Sequence, residues 1–135
     1  MRAVLDVNVL IAALLSPSGA PAQLLSRWLL GEFELVVSKA LLTELERALA
    51  YPKLRRHVDA ESAAAFVYLL RESAIVAPDP ASPAMRSVDA GDDYVVALAE
   101  HARAILVSGD HHLLDLAHSL PIEAPRGFLD RLGSG

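Results

Sequence analysis

Short apolar runs of strand length alternate along the chain with longer segments in which apolar positions recur at helical spacing. The pattern predicts the element order β, α, α, β, α, α, β, α, β, α, with strands at residues 2–5, 33–37, 74–77 and 104–107. Continuous apolar strands between helices are typical of a parallel sheet covered on both faces. The pattern therefore predicts an α/β fold, in which ligands bind beyond the carboxyl ends of the strands, where the strand order reverses.

Polar residues that can cap helices refine the predicted boundaries. Ser38 is expected to cap a helix that runs through Ala50, and Asp59 to cap a helix that ends at about residue 73. Another helix is predicted at residues 20–30, with Gly31 after its last turn. Two more are predicted, one that begins at Asp92 and a short final helix at residues 126–132.

Length and composition indicate one globular domain. The chain has 135 residues, 53% apolar and 21% charged, which excludes a disordered chain. No repeat or linker divides it, and the proline-rich residues 78–83 are interpreted as a loop inside a domain spanning residues 1–132, with residues 133–135 as a tail without a role.

The lack of cysteine and of a long apolar segment limits the kinds of site and the cellular compartment to be expected. The sequence contains no cysteine, which excludes disulfides, thiolate metal sites and cysteine nucleophiles and makes the cytoplasm the expected compartment. The apolar N-terminal stretch is interrupted by Asp6 and Asn8 and is too short for a membrane span, so no membrane association is expected.

Basic residues are few and concentrated. The formal net charge is -5, so a polyanionic partner needs locally placed cations. The basic window contains no acid between Arg47 and Val58 and consists of Arg47, Lys53, Arg55, Arg56 and His57. The window is a candidate phosphate-binding patch, and a solvated loop and helix end is an equally open interpretation.

Several carboxylates occupy positions where a structural role does not require them. Asp6 and Asp110 each follow a predicted strand, and Asp92 lies nearer than Asp93 to the apolar stripe of its helix, although it also suits a helix cap. Glu44 and Glu46 flank the stripe of the Ser38 helix on opposite sides, and periodicity does not choose between them.

Convergence of these acids at one sheet edge would require protons or cations that the carboxylates share. Two unit charges about 4 Å apart repel by about 4 kcal/mol at an effective dielectric constant of about 20. Oxygen ligands without cysteine or paired histidines favour a hard ion such as Mg²⁺ or Mn²⁺. The chemistry that this predicts is metal-assisted attack of water on a phosphoryl group.

Four segments, in order, resemble the PIN-domain ribonucleases, and among them the small prokaryotic VapC-like toxins of toxin–antitoxin systems. The segments are residues 5–10, 38–49, 92–99 and 106–114. The resemblance implies a three-layer α/β/α fold with a twisted, roughly five-stranded parallel sheet. It assigns the acidic positions to Asp6, Glu44, Asp92 and Asp110, and so chooses Glu44 over Glu46. It also gives Asn8 and Ser108 supporting roles, which would orient the carboxylates or a bound water.

The activity that the resemblance implies is endonucleolytic hydrolysis of RNA with one or two Mg²⁺ or Mn²⁺ ions. The expected partners are a cognate antitoxin and a second copy of the chain. Candidate substrate-binding residues are Lys39, Arg47, Lys53, Arg55, Arg56 and His112. His112 stands where close relatives often have another acid, and an exposed histidine at a helix start is its simpler interpretation.

Other functions remain open or are disfavoured by particular positions. A binding module that keeps the acidic pocket without turnover is the alternative to a nuclease. An aspartyl-phosphate phosphatase is disfavoured because Asn8 stands where that class usually has a second aspartate. The sequence contains neither a G-x-S-x-G nor a P-loop motif.

Overall fold

Five parallel strands form the central sheet of the structure, a computed structural model that describes residues 1–80, 93–117 and 119–133. The strands are β1 (Arg2–Leu5), β2 (Glu34–Val37), β3 (Ile75–Val76), β4 (Ile105–Val107) and β5 (Ile122–Glu123), and their order across the sheet is β3-β2-β1-β4-β5. The chain builds outward from β1 to β3 on one side and then places β4 and β5 on the other side. The strand order therefore reverses beside β1.

The described residues contain eight helices, which complete a three-layer α/β/α arrangement. They are α1 (Val7–Leu15), α2 (Ala20–Leu29), α3 (Lys39–Leu49), α4 (Pro52–Arg55), α5 (Ala60–Ser73), α6 (Asp93–Ala102), α7 (His111–Leu114) and α8 (Pro125–Leu132). Helix α6 contacts β1 and β4, whereas α1 contacts α2 and α3. The predicted fold class and parallel sheet are confirmed.

The sequence pattern did not predict three short elements, α4, α7 and β5. They have two to four residues each, which is too short for an apolar period to be recognised. β5 pairs with β4, with Leu106 opposite Ile122, and so supplies the fifth strand that the family resemblance implied.

The predicted helix caps are present where the structure describes them. The Ser38 Oγ accepts a hydrogen bond from the Leu41 N–H at 3.2 Å, and an Asp59 carboxylate oxygen accepts one from the Ser62 N–H at 2.7 Å. Gly31 follows α2 with a φ of 82°, a left-handed conformation that favours glycine. Asp92 and residues 81–83 of the proline-rich connection lie outside the described residues.

The apolar helix faces pack into one core with the sheet. The stripe that periodicity predicts on α6 is buried, as are the leucines of the α3 stripe, Leu41, Leu42, Leu45 and Leu49. At the C-terminus, Phe128 of α8 is fully buried and meets the Phe33 ring edge to face, with ring centroids 5.2 Å apart. α8 is therefore part of the core and not an appended segment.

Core packing accounts for most of the apolar surface on α2 and α5. Leu24, Trp28 and Phe66 are buried, whereas Leu29 and Leu30 at the end of α2 are 60% and 75% exposed.

No single described helix is both long and apolar enough to cross a membrane. Only α1 and α2 taken together reach that length and apolar character, and the pair is bent by 97°.

Candidate active site

The sheet topology brings Asp6 and Asp110 to one edge. β1 and β4 are neighbours with Leu5 opposite Val107, so the residues that follow the two strands emerge side by side. The Asp6 N–H extends this pairing and donates to the Val107 carbonyl oxygen at 2.9 Å. This edge coincides with the reversal of strand order beside β1, where doubly wound sheets bind their ligands.

Ser108 connects the two aspartates. Its hydroxyl group donates to Asp6 Oδ2 at 2.9 Å and accepts a hydrogen bond from the Asp110 N–H at 3.0 Å. Because Ser108 is fully buried, the position of its hydroxyl group is fixed by the surrounding core. Asp110 in turn is the N-cap of α7, and its Oδ1 accepts a hydrogen bond from the His112 N–H at 2.8 Å. One hydroxyl group therefore connects the Asp6 carboxylate to the backbone of Asp110.

The Asp6 carboxylate is in an environment that opposes its charge. Asp6 is only 7% exposed, and this burial raises the pKa of the Asp6 carboxyl group above its ordinary value. The hydrogen bonds from Ser108 and the Val7 N–H lower the pKa in part, and the negative charge of Asp110 raises it again. A buried carboxylate near a second one is the arrangement that a cation stabilises.

We expect the free energy of unfolding of the metal-free protein to depend on pH because the pKa of Asp6 is raised. The folded protein binds the Asp6 proton more tightly than the unfolded chain does, so this proton stabilises the folded state. The stabilisation is fully present below the unfolded-state pKa of about 3.9 and is lost as the pH rises through the folded-state pKa. Unfolding in EDTA should therefore show Asp6→Asn gaining stability relative to the wild type as the pH rises. A stability difference that does not change with pH would contradict this assignment.

The two aspartates fit a hard divalent ion. Mg²⁺ keeps several water ligands and is commonly held by one or two carboxylates together with substrate phosphates. Asp6 and Asp110 provide such a pair, with Ser108 holding Asp6 in place. Among residues 1–80, 93–117 and 119–133, no group of three or more histidine, aspartate or glutamate side chains is arranged to hold a metal ion.

We expect Ser108→Ala to weaken Mn²⁺ binding by about 10- to 100-fold, because a hydrogen bond that orients a metal ligand is lost. It should also lower the free energy of unfolding by about 1–3 kcal/mol, since Asp6 Oδ2 loses a buried partner. Calorimetric Mn²⁺ titration and denaturant unfolding measure the two effects. Ser119→Ala, which removes an exposed hydroxyl group, is the matched control; equal effects from both variants would exclude the orienting role.

Asn8 is exposed on the first turn of α1 and lines an open cavity of about 400 Å³ together with Asp110 and His111. Within the described parts of the chain, the Asn8 amide makes no hydrogen bond to either aspartate. Its position at the cavity wall suits contact with a ligand, and the role in orienting carboxylates that the resemblance gave it remains a prediction.

Glu44 lies at a different cavity, of about 560 Å³, and its Oε2 accepts a hydrogen bond from Arg47 Nη1 at 2.9 Å. The two glutamates that flank the α3 stripe face different surroundings, because Glu46 lies 3.6 Å from Arg71. Glu44 is not a lining residue of the cavity that contains Asp110. Asp92, the fourth predicted acid, lies outside the described residues, so the structure brings together two of the four.

Asp79 is an acid at the Glu44 cavity that the sequence interpretation passed over. Its Oδ2 accepts a hydrogen bond from the Ala40 N–H at 2.9 Å, at the start of α3. The only sequence signal is a carboxylate between Pro78 and Pro80 in the connection after β3.

The predicted basic residues are distributed over several surfaces. Lys39 and Arg47 line the Glu44 cavity, whereas Arg55 lines a separate cavity of about 160 Å³ beside Glu46. Arg55 Nη1 is the buried side-chain nitrogen that has no hydrogen-bond partner among the described residues. Arg56 and Lys53 are exposed, and His112 is half-buried with its ring centroid 4.2 Å from that of His111.

Comparison with known proteins places this arrangement in a family. The PIN domain family profile matches residues 2–112. The uncharacterized protein MJ1680 of Methanocaldococcus jannaschii is 29% identical over 118 residues, which cover 86% of this chain and 75% of that protein.

Solved structures share the fold, among them those of PAE2754 and VapBC2. The structure of PAE2754 from Pyrobaculum aerophilum aligns with a TM-score of 0.67 and 19% identity, covering 100% of this chain and 91% of the other. The structure of VapBC2 from Rickettsia felis, bound to a DNA fragment from its promoter, aligns with a TM-score of 0.66 and 14% identity, covering 92% of this chain and 98% of the other. With a family profile that matches most of its length, the chain belongs to the PIN-domain family.

Proposed function

We propose that the protein is a metal-dependent endoribonuclease and the toxin of a toxin–antitoxin pair. The observation that carries the proposal is the pair of aspartates joined by Ser108 at the reversal of strand order, in a chain of the PIN-domain family. The buried Asp6 supports metal dependence, because its charge is stabilised when a cation is bound beside it.

Asp6 and Asp110 would hold the divalent ion, and Asp92 and Glu44 complete the proposed acidic set. A bound Mg²⁺ or Mn²⁺ supplies charge stabilisation at the phosphate and activation of water. Ser108 keeps Asp6 in position, and the His112 N–H holds one oxygen of Asp110. All four acidic side chains together would be enough to hold two ions, whereas Asp6 and Asp110 alone would hold one.

Positive side chains near Glu44 support binding of a nucleic-acid backbone. Lys39 and Arg47 line the same open cavity, and an acidic chain must concentrate its few cations where phosphates bind. Arg55, Arg56 and His112 are further candidates for phosphate contact. These residues would position the substrate and carry no information about its sequence.

The proposal includes a cognate antitoxin and a homodimer in the cytoplasm. The likeness of the fold to the VapBC2 structure supports an antitoxin partner. The exposed Leu29 and Leu30 at the end of α2 support burial of that surface in an assembly. Light scattering should give about twice the 14.4 kDa chain mass, and a single species at the chain mass would exclude the homodimer.

The function is tested by incubating the protein with labelled structured RNA and with DNA of the same sequence, in Mn²⁺, in Mg²⁺ and in EDTA. We expect cleavage of RNA that EDTA abolishes, with 5′-phosphate and 3′-hydroxyl product ends, because water and not the 2′-hydroxyl group attacks phosphorus. Cleavage that continues in EDTA, or 2′,3′-cyclic phosphate ends, would exclude the mechanism. RNA binding without cleavage would favour the alternative of a binding module.

A further inference from the structure

An open cavity is lined in part by Asp110, and its other lining residues are not proposed metal ligands. Its volume is about 400 Å³, within the range of roughly 300–1,000 Å³ typical of small-molecule sites. Helix α1 forms one wall and the loop between β4 and α7 another. A substrate phosphate bound at Asp110 would therefore lie beside this cavity.

The lining combines apolar walls with three polar side chains, those of Asn8, Asp110 and His111. Val9, Ala12, Pro21 and Pro125 are apolar, whereas Asn8 and His111 provide an amide and an imidazole. The His111 ring lies against the His112 ring, with centroids 4.2 Å apart, so it is supported from within the protein. The lining contains no lysine or arginine and includes the carboxylate of Asp110, which argues against a site built for a second phosphate.

The chemistry of a nucleobase matches this lining. Single-stranded RNA is recognised by stacking of unpaired bases on side chains such as histidine and by hydrogen bonds to the base edges. A side-chain amide offers a donor and an acceptor side by side, which is the complement of a base edge. The apolar walls suit the faces of a flat ring, and the open side of the cavity admits the sugar.

We propose that this cavity binds the nucleobase next to the scissile phosphate, with the Asn8 amide on the edge of the base and the His111 ring against its face. The inference rests on the proposed ribonuclease function, which it extends from the reaction to the choice of cleavage site. Asn8 is then a residue that determines specificity and that contacts the substrate directly.

The sequence makes Asn8 directly observable. It is the only asparagine and Gln23 the only glutamine, so a ¹H–¹⁵N spectrum contains two side-chain amide groups. Gln23 lies on α2 outside the cavity lining and is an internal reference. Nucleoside 5′-monophosphates, titrated into the protein in EDTA, should shift the Asn8 amide and leave the Gln23 amide unchanged. Ribose 5-phosphate, which lacks the base, should shift neither.

His111→Ala should weaken this binding at least about fivefold, as expected for the loss of a stacking partner. Equal shifts of Asn8 with the nucleotides and with ribose 5-phosphate would overturn the proposal, as would an Asn8 amide that does not move at millimolar nucleotide. Because the titration requires no cleavage, a protein that fails to cut RNA but shifts Asn8 would refute the nuclease and keep the base site.

A second measurement connects the cavity with cleavage. Sequencing of the products from a randomised RNA pool should show a base preference at one position next to the cut, reduced at least about fivefold in Asn8→Ala. Gln23→Ala removes an exposed amide on the neighbouring helix and should leave the preference unchanged. An unaltered preference in Asn8→Ala, with the metal requirement retained, would overturn the base site and leave the nuclease in place.

Discussion

We expect Asp6→Asn to reduce metal-dependent RNA cleavage by more than about a hundredfold, a larger loss than the 10- to 100-fold typical of residues that only orient a metal ligand. The substitution removes the negative charge that is proposed to bind the ion and keeps an oxygen that can accept the Ser108 hydrogen bond. Cleavage rates at saturating Mn²⁺ measure the effect. The same variant should no longer be stabilised against heat by added Mn²⁺.

Loss of folding is separable from loss of function in this variant. Asparagine has nearly the shape of aspartate and carries no buried charge, so the metal-free variant should melt at or above the wild-type temperature at neutral pH. Asp130→Asn changes an exposed aspartate on α8 and should retain both cleavage and stabilisation by Mn²⁺. Wild-type cleavage by a folded Asp6→Asn protein would remove Asp6 from the mechanism.

The largest expected effect on stability is that of Phe128→Ala, which should lower the free energy of unfolding by about 3–5 kcal/mol and Tm by roughly 10–20 °C. The Phe128 ring is fully buried and packs edge to face on Phe33. The residue lies beyond position 112, where the family match ends, so the variant tests whether the C-terminal helix is part of one cooperative domain.

An exposed residue on the same helix provides the control. Arg126→Ala should change the free energy of unfolding by no more than about 0.5 kcal/mol. Hydrogen bonds from the Arg27 side chain to the Leu132 and Gly133 carbonyl oxygens further connect α8 to α2. If Phe128→Ala melted in two separate transitions, or lost less than about 1 kcal/mol, residues 1–132 would not form one cooperative unit.

The sequence predicted the sheet edge and its two aspartates because the signals there are local. An apolar run followed directly by Asp6, and another followed by Ser108 and Asp110, place these residues at strand ends whatever the rest of the chain does. Ser38 and Asp59 were predicted as caps for the same reason, because a cap depends on the next three residues.

Features that depend on tertiary contacts were not predictable in this way. The two-residue β5 is a strand only because β4 lies beside it, and no period in the sequence reveals it. The basic window is continuous in sequence, yet Arg47 and Arg55 line different cavities, because α3 ends and α4 begins between them. The cavity of Asn8 and His111 joins residues about a hundred positions apart, which only the pairing of β1 with β4 brings together.

Binding of Mn²⁺ to the metal-free protein, followed by the paramagnetic resonance signal of the free ion, tests the central claim most directly. We expect the wild type to bind one or two ions and Asp110→Asn to bind them more than about tenfold more weakly, because one of the two paired carboxylates is lost. Asp130→Asn should bind as the wild type does. Equal affinity in the wild type and Asp110→Asn, or no binding by the wild type, would contradict a metal centre at this sheet edge.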